Sequence, residues 1–354
     1  MSGRPVVITG GAGFLGANIA DRLLGQEVPV VIVDNLSRAG VELNLRWLEE
    51  RHGGRLVTPL VEDIRDAETV EDAVRGAHAV LHLAAQVAVT TSLEDPVTDF
   101  EINARGTLNI LEALRWQDDP PPLLFASTNK VYGKLLGPDA LVRGRTRWEP
   151  TDAARRRGCD EATPLDFYSP YGCSKGVADQ YVLDYARVFG LTTLVFRMSC
   201  LYGQRQFGTE DQGWIAHFLI RALRGEPVTV FGDGRQVRDA LHVDDAVEAW
   251  LTGLRHAGRL SGRAFNLGGG PGNTLSLLEL IERMGPLCGR SPEVRFADPR
   301  PGDQLWYVSD TSAFEAATGW RARVGLDDGL RQLADWLRHN VVDDPAAAAA
   351  VVTA

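Results

Sequence analysis

Residues Val6 to Gly16, VVITGGAGFLG, constrain this chain more than any other stretch. Val6, Val7 and Ile8 are a β-branched run suited to a strand buried on both faces. Gly10, Gly13 and Gly16 follow at G-x-x-G-x-x-G spacing, and Phe14, Leu15, Ile19, Leu23 and Leu24 then recur with a helical period. A strand, a glycine turn and a helix come in immediate succession. The glycines permit the tight turn and leave room for a pyrophosphate, and the helix start offers free N–H groups and partial positive charge. Val30 to Val33 is a second apolar strand, ending at Asp34, close to the ~20-residue offset at which an acid accepts hydrogen bonds from an adenosine ribose. Asp34 favours NAD over NADP because a carboxylate repels a 2′-phosphate; Arg38 lies near enough to blunt that repulsion.

Strands and helices continue to alternate. Leu56 to Asp63 reads as a third strand, with Pro59 an objection to a central position. Asp63 with Ile64 either flanks an adenine or caps the next helix. Ala79 to Leu83 is a fourth strand, followed by Ala84-Ala85, small enough for close approach of a cofactor or of a helix. Pro96 to Arg115 reads as one long amphipathic helix, Leu123 to Ala126 as a fifth strand and Leu191 to Met198 as a sixth. The pattern predicts an α/β, doubly wound parallel sheet of Rossmann type with a smaller, interleaved C-terminal lobe. The expected division is residues 1–198 and 236–262 for dinucleotide binding and 199–235 and 263–340 for substrate, with 341–354 a frayed tail. Ligands in such sheets sit beyond the carboxyl ends of the strands.

At 354 residues the chain can bury two lobes, and its net charge of -10 disfavours nucleic acid or an anionic membrane as partner. Cys159, Cys173, Cys200 and Cys288 lack C-x-x-C spacing, so no metal site or disulfide framework is expected. The absence of a long apolar run or leader pattern points to the cytoplasm. The irregular segment Lys134 to Pro164 carries Arg143, Arg145, Arg147 and Arg155 to Arg157; it reads as a solvated basic loop or as a substrate cover.

Chemistry enters with SPYGCSK, Ser169 to Lys175. Ser169 suits a helix cap, Pro170 the first turn and Gly190 the stop, and an apolar pattern runs through Val177, Tyr181, Val182 and Tyr185. Tyr171 and Lys175 are four apart and share a face. An ammonium beside a phenol stabilises the phenolate, and a nearby pyridinium adds to this, moving the phenol down from ~10. Such a tyrosine can take a hydroxyl proton while hydride leaves the same carbon. Ser127-Thr128, at a strand end, can hydrogen-bond the reacting oxygen.

With these motifs the chain resembles the extended short-chain dehydrogenase/reductases of the nucleotide-sugar epimerase/dehydratase family. The resemblance implies Thr128, Tyr171 and Lys175 as the catalytic trio, NAD as cofactor and a nucleotide-diphosphate sugar as substrate. It implies cofactor contacts from Gly10, Gly13, Phe14, Leu15, Gly16, Asp34, Asn35, Ser37, Arg38, Asp63, Ile64, Leu83, Ala84, Ala85, Gln86, Ser127, Tyr171 and Lys175. Substrate contacts fall to Thr128, Asn129, Cys200, Arg205, Val230, Arg238, Arg300 and Asp303. Arg238 and Arg300 are the diphosphate grips, surface ion pairing being their plainer reading; Cys200 stands where relatives often carry Asn and reads otherwise as a buried thiol. Four longer strings, STNKVYG, LDFYSPYGCSKGVADQY, RQFGTEDQGW and GDGRQVRDALHVDD, resemble a branch of the family that inverts C2 of CDP-sugars. Asn129-Lys130 stands where the dehydratases place an Asp-Glu pair, which disfavours elimination of water. A homodimer or homotetramer through the helices beginning near Pro96 and Ser169 is also implied.

Overall fold

A computed structural model describes residues 3–343 except Arg55. Seven parallel strands form the central sheet: β1 (Val6–Thr9), β2 (Val30–Val33), β3 (Val57–Leu60), β4 (Ala79–His82), β5 (Leu123–Thr128), β6 (Thr193–Met198) and β7 (Arg263–Leu267), in the order β7-β6-β5-β4-β1-β2-β3. Pro59 lies on the edge strand β3, where its missing N–H costs no ladder bond. Alternation across the sheet is strict. Val6, Ile8, Leu81, Leu124 and Phe196 enter one core, with the helices Phe14–Leu24 and Val243–Arg255. Val7, Val80, Phe125 and Val195 enter the other, with Gly106–Arg115 and Pro170–Phe189. Two apolar faces need cover on both sides, which is why the sheet is doubly wound.

The smaller lobe is built on the strand Val237–His242, which pairs with Thr274–Ser276, Trp306–Tyr307 and Cys200–Tyr202. Val228–Phe231 pairs with Val294–Ala297, and the helices Trp214–Arg224, Leu277–Cys288 and Leu326–Leu337 close a separate core.

The structure moves the expected boundaries. Arg263–Leu267, assigned from sequence to the substrate lobe, is the outermost strand of the large sheet, and Phe265, Phe314 and Trp320 pack into the large core. Conversely, Val237–His242, assigned to the dinucleotide domain, is the spine of the smaller sheet. Both strands are short and mix polar with apolar residues, so only their distant partners decide where they belong. The helix expected over Pro96 to Arg115 is continuous but contains a π segment, Glu101–Arg105. Tyr181, expected on the apolar stripe, is 44% exposed. The arginine-rich segment does not cover the substrate cavity. Its hairpin, Leu141–Arg143 with Trp148–Pro150, is pinned to the smaller lobe by Arg143–Asp233, Arg145–Glu282 and Arg147–Glu279 ion pairs. Val341, placed at the start of the expected tail, is buried; residues 344–354 lie outside the described residues.

Candidate active site

A cavity of about 880 Å³ opens beyond the carboxyl ends of the central strands and runs under the smaller lobe. All the residues expected at a site line it, with one exception. Val230 is fully buried in the core of the smaller lobe, while Thr229 and Phe231 face the cavity. Successive strand residues point to opposite faces, so a one-residue error in the assignment reverses the side chain.

At the dinucleotide end, Gly10 has φ +70°, and a Cβ there would lie 2.6 Å from the Ala84 amide nitrogen. A Cβ on Gly16 would lie 2.3 Å from the Gly10 carbonyl. No side chain caps the start of the helix Phe14–Leu24, so its first N–H groups face the cavity beside Gly13. The Asp34 carboxylate accepts from the amides of Ala12 (3.1 Å) and Leu36 (3.0 Å), tying the glycine turn to the end of β2. Burial raises its pKa, against these hydrogen bonds and the charge of Arg38. Asp63 is gripped by Arg65, which holds its carboxyl down at about 2, and accepts from Asn35 at 2.9 Å. Ser37, Arg38, Ile64, Leu83, Ala84, Ala85 and Gln86 complete this wall. An uncapped helix start, a side-chain-free turn and a carboxylate at the end of β2 fit a dinucleotide such as NAD.

Tyr171 and Lys175 stand in the first turns of Pro170–Phe189, whose N-cap Ser169 accepts from the Gly172 amide at 3.0 Å. The Tyr171 hydroxyl hydrogen-bonds Thr128, and its backbone N–H donates to Ser92 Oγ at 3.1 Å. Lys175 is 2% exposed, its ammonium 4.2 Å from the Phe125 ring centroid. Burial lowers its pKa to about 7, while Asp179 and Asp99 pull the other way. Burial also pushes the Tyr171 phenol up to about 12. Burial outweighs the lowering by Thr128 and by the charge of Arg38, so the protein's own groups do not bring the phenol toward neutrality; the sequence reading counted on a pyridinium cation as well as the lysine.

A polar scaffold that the sequence reading missed lies beneath. Asp179 accepts from Ser127 Oγ at 2.7 Å and forms a two-pronged ion pair with Arg197 at 3.0 and 2.9 Å. Asp99 accepts from Ser174, Asn103 and Gln86. Ser127 and Gln86 thus line the cavity with their polar groups committed to this scaffold. Polar residues inside apolar helix patterns were the only available signal.

Toward the smaller lobe, the Arg238 guanidinium donates to Asp303 Oδ1 at 2.6 Å. Lys130 Nζ lies 3.8 Å from the same oxygen. Asn129 is buried and accepts from Thr128 Oγ1 at 3.4 Å. Cys200 Sγ accepts from Trp214 Nε1 at 3.4 Å, and burial pushes its thiol pKa up. Arg300 stacks 3.9 Å over Phe231 and pairs with Glu210 and Asp211. Arg205 borders the cavity, but its guanidinium stacks on Trp47 (3.7 Å) and Trp336 (5.5 Å), making it a strut between the lobes.

One chamber thus joins a dinucleotide cradle, a phenol–hydroxyl pair with a buried lysine, and a cluster of arginines and a lysine. That combination defines an enzyme that moves hydride and a proton at a hydroxyl-bearing carbon of a phosphorylated substrate. Residues 6–268 match the model of the NAD dependent epimerase/dehydratase family, and the chain belongs to it. It is 42% identical over 338 residues to CDP-paratose 2-epimerase of Salmonella typhi, covering 94% of this chain and 98% of that protein. The structure resembles that of Thermus thermophilus UDP-glucose 4-epimerase in complex with NAD (34% identity, TM-score 0.79, 95% of this chain and 100% of that one). It also resembles Bacillus cereus UDP-glucuronic acid 4-epimerase in complex with UDP-glucuronic acid and NAD (25% identity, TM-score 0.82, 95% and 99%).

Proposed function

We propose that this protein is a nucleotide-sugar 2-epimerase of the CDP-paratose/CDP-tyvelose type. The observation that carries the reading is the 42% identity to CDP-paratose 2-epimerase along nearly the whole of both chains. The cavity gives that reading its chemistry. Bound NAD+ supplies a hydride acceptor that later returns the hydride. Tyr171 takes the C2 hydroxyl proton and restores one after the 2-keto sugar has presented its other face. Thr128 orients the reacting oxygen. Lys175 supports the phenolate, as an ammonium one helical turn away can. Arg238 and Arg300 grip the diphosphate through guanidinium forks. Asn129 and Lys130 offer no carboxylic acid beside the sugar, which favours epimerisation over elimination of water.

The enzyme works in the cytoplasm; no helix among the described residues is long and apolar enough to cross a membrane. It assembles as a homodimer or homotetramer through Pro96–Phe100 and Pro170–Phe189, which leave Val97, Phe100, Tyr181 and Val188 exposed.

Incubation with CDP-paratose or CDP-tyvelose in deuterated water, followed by NMR, tests the reading. Inversion at C2 with the original hydrogen retained is expected. Inversion at C4 instead, solvent deuterium at C5 with loss of water, or no turnover of any nucleotide sugar would each refute it.

A further inference from the structure

Lys130 is an unusual residue to find in this cavity. Its ammonium lies 3.4 Å from the Gly302 carbonyl and 3.8 Å from Asp303 Oδ1, the oxygen that Arg238 already holds at 2.6 Å. One carboxylate therefore faces two cations, and Arg238 is 6% exposed. An unbalanced positive charge withdrawn from water is costly, and a bound anion relieves that cost. Burial accordingly draws the Lys130 pKa down to about 8, with Arg238 adding to the effect and Asp303 and Cys200 opposing it.

Its position says which anion. The Lys130 amide donates to Thr128 Oγ1 at 3.2 Å, so its side chain sets out from the hydroxyl that meets Tyr171 and ends beside Arg238. Arg300, over Phe231, pairs with both Glu210 and Asp211, whereas Lys130 and Arg238 share the single carboxylate of Asp303. A nucleotide sugar with its reacting carbon at Thr128 brings the nearer, sugar-bearing phosphate toward Lys130 and Arg238.

We propose that Lys130, together with Arg238, holds the sugar-bearing phosphate of the substrate diphosphate. The inference rests on the nucleotide-sugar reading above. Titration calorimetry of the NAD-loaded protein with CDP and with CMP separates the two. Lys130→Met should weaken CDP on the order of tenfold or more, since a charge-assisted hydrogen bond is lost, and CMP by no more than about twofold. Lys130→Arg should restore most of the CDP affinity. In turnover, Lys130→Met should raise KM for the CDP-sugar while kcat stays within a few-fold. Unchanged CDP affinity in the Met variant, equal losses for CDP and CMP, or a collapsed kcat at unchanged KM each overturn the assignment. Retained NAD binding and an unshifted Tm show that the variant is folded; if Lys130→Met fails either check, Lys130→Arg carries the test, and loss of CDP affinity in that folded variant as large as tenfold overturns it. A wild-type protein that binds NAD but neither CDP nor CMP overturns the nucleotide-sugar reading itself.

Discussion

The ion pair beneath the active site gives the sharpest energetic test. Arg197 and Asp179 have side chains 6% and 0% exposed, and their two hydrogen bonds measure 3.0 and 2.9 Å. Asp179→Asn leaves the guanidinium buried and uncompensated, a change that typically costs ~3–5 kcal/mol. For a chain of 354 residues, an unfolding entropy of ~2.1 cal/mol/K per residue amounts to ~0.74 kcal/mol/K, so Tm should fall by ~4–7 °C. Replacing both partners, Asp179→Leu with Arg197→Met, removes the unpaired charge and should recover most of that loss. Ser127 loses its acceptor, at ~1 kcal/mol, whereas Tyr132 keeps Asn266 at 2.7 Å. The double variant should therefore melt within ~3 °C of wild type. Activity should not recover with it. Asp179 stands one helical turn from Lys175 and raises its pKa, so its loss leaves less ammonium at pH 7, and kcat should stay at least ~10-fold down. Differential scanning calorimetry and turnover at pH 7 measure both. A single variant within 1 °C of wild type, or a double variant less stable than the single, would refute the reasoning.

Three further outcomes are expected. Tyr171→Phe should abolish turnover and leave NAD affinity within a few-fold; turnover within tenfold of wild type would remove the tyrosine from its role. Asp34→Ala should weaken NAD more than NADP, and equal losses would take away the basis for cofactor choice. Lys175 sets a pH dependence of stability: the unfolded chain keeps this proton to ~10.4, whereas the native protein releases it above about 7. More protons are then bound in the unfolded state, so the lysine's contribution to stability rises with pH across that window, by up to ~1.4 kcal/mol per unit. Urea midpoints from pH 7 to 10 should rise for wild type relative to Lys175→Met, and parallel curves would contradict this.

The parts of the molecule written in local sequence were the parts that could be read from it. The glycine turn, the acid at the end of β2 and the Ser169–Lys175 helix start each depend on residues within a few positions of one another. What stayed hidden depends on partners far along the chain. Arg263–Leu267 looks like any short strand until it pairs with β6. Val230 lies on the wrong face for a ligand because distant helices, Trp214–Arg224 among them, pack on that side of its strand. Arg205 reads as a substrate contact, since nothing near it announces Trp47 and Trp336. Lys130 was legible only as the absence of an acid, because Asp303 and Arg238, which give its ammonium a purpose, are brought beside it by the fold.

The two displaced pKa values in the chamber have one cause and one consequence. Burial holds Tyr171 protonated, up at about 12, and makes Lys175 easy to deprotonate, down at about 7. Each group therefore leans toward its neutral form, whereas proton abstraction calls for a phenolate beside an ammonium. Asp99 pulls the lysine up and the phenol up together, while Asp179 lifts the lysine and Arg38 lowers the phenol without overcoming burial. Charge carried in by ligands adds to these: a cation beside the phenol lowers it, and an anion beside the ammonium raises it. On the proposed mechanism, a cofactor cation adds to the base strength of Tyr171, which couples that strength to occupancy of the chamber.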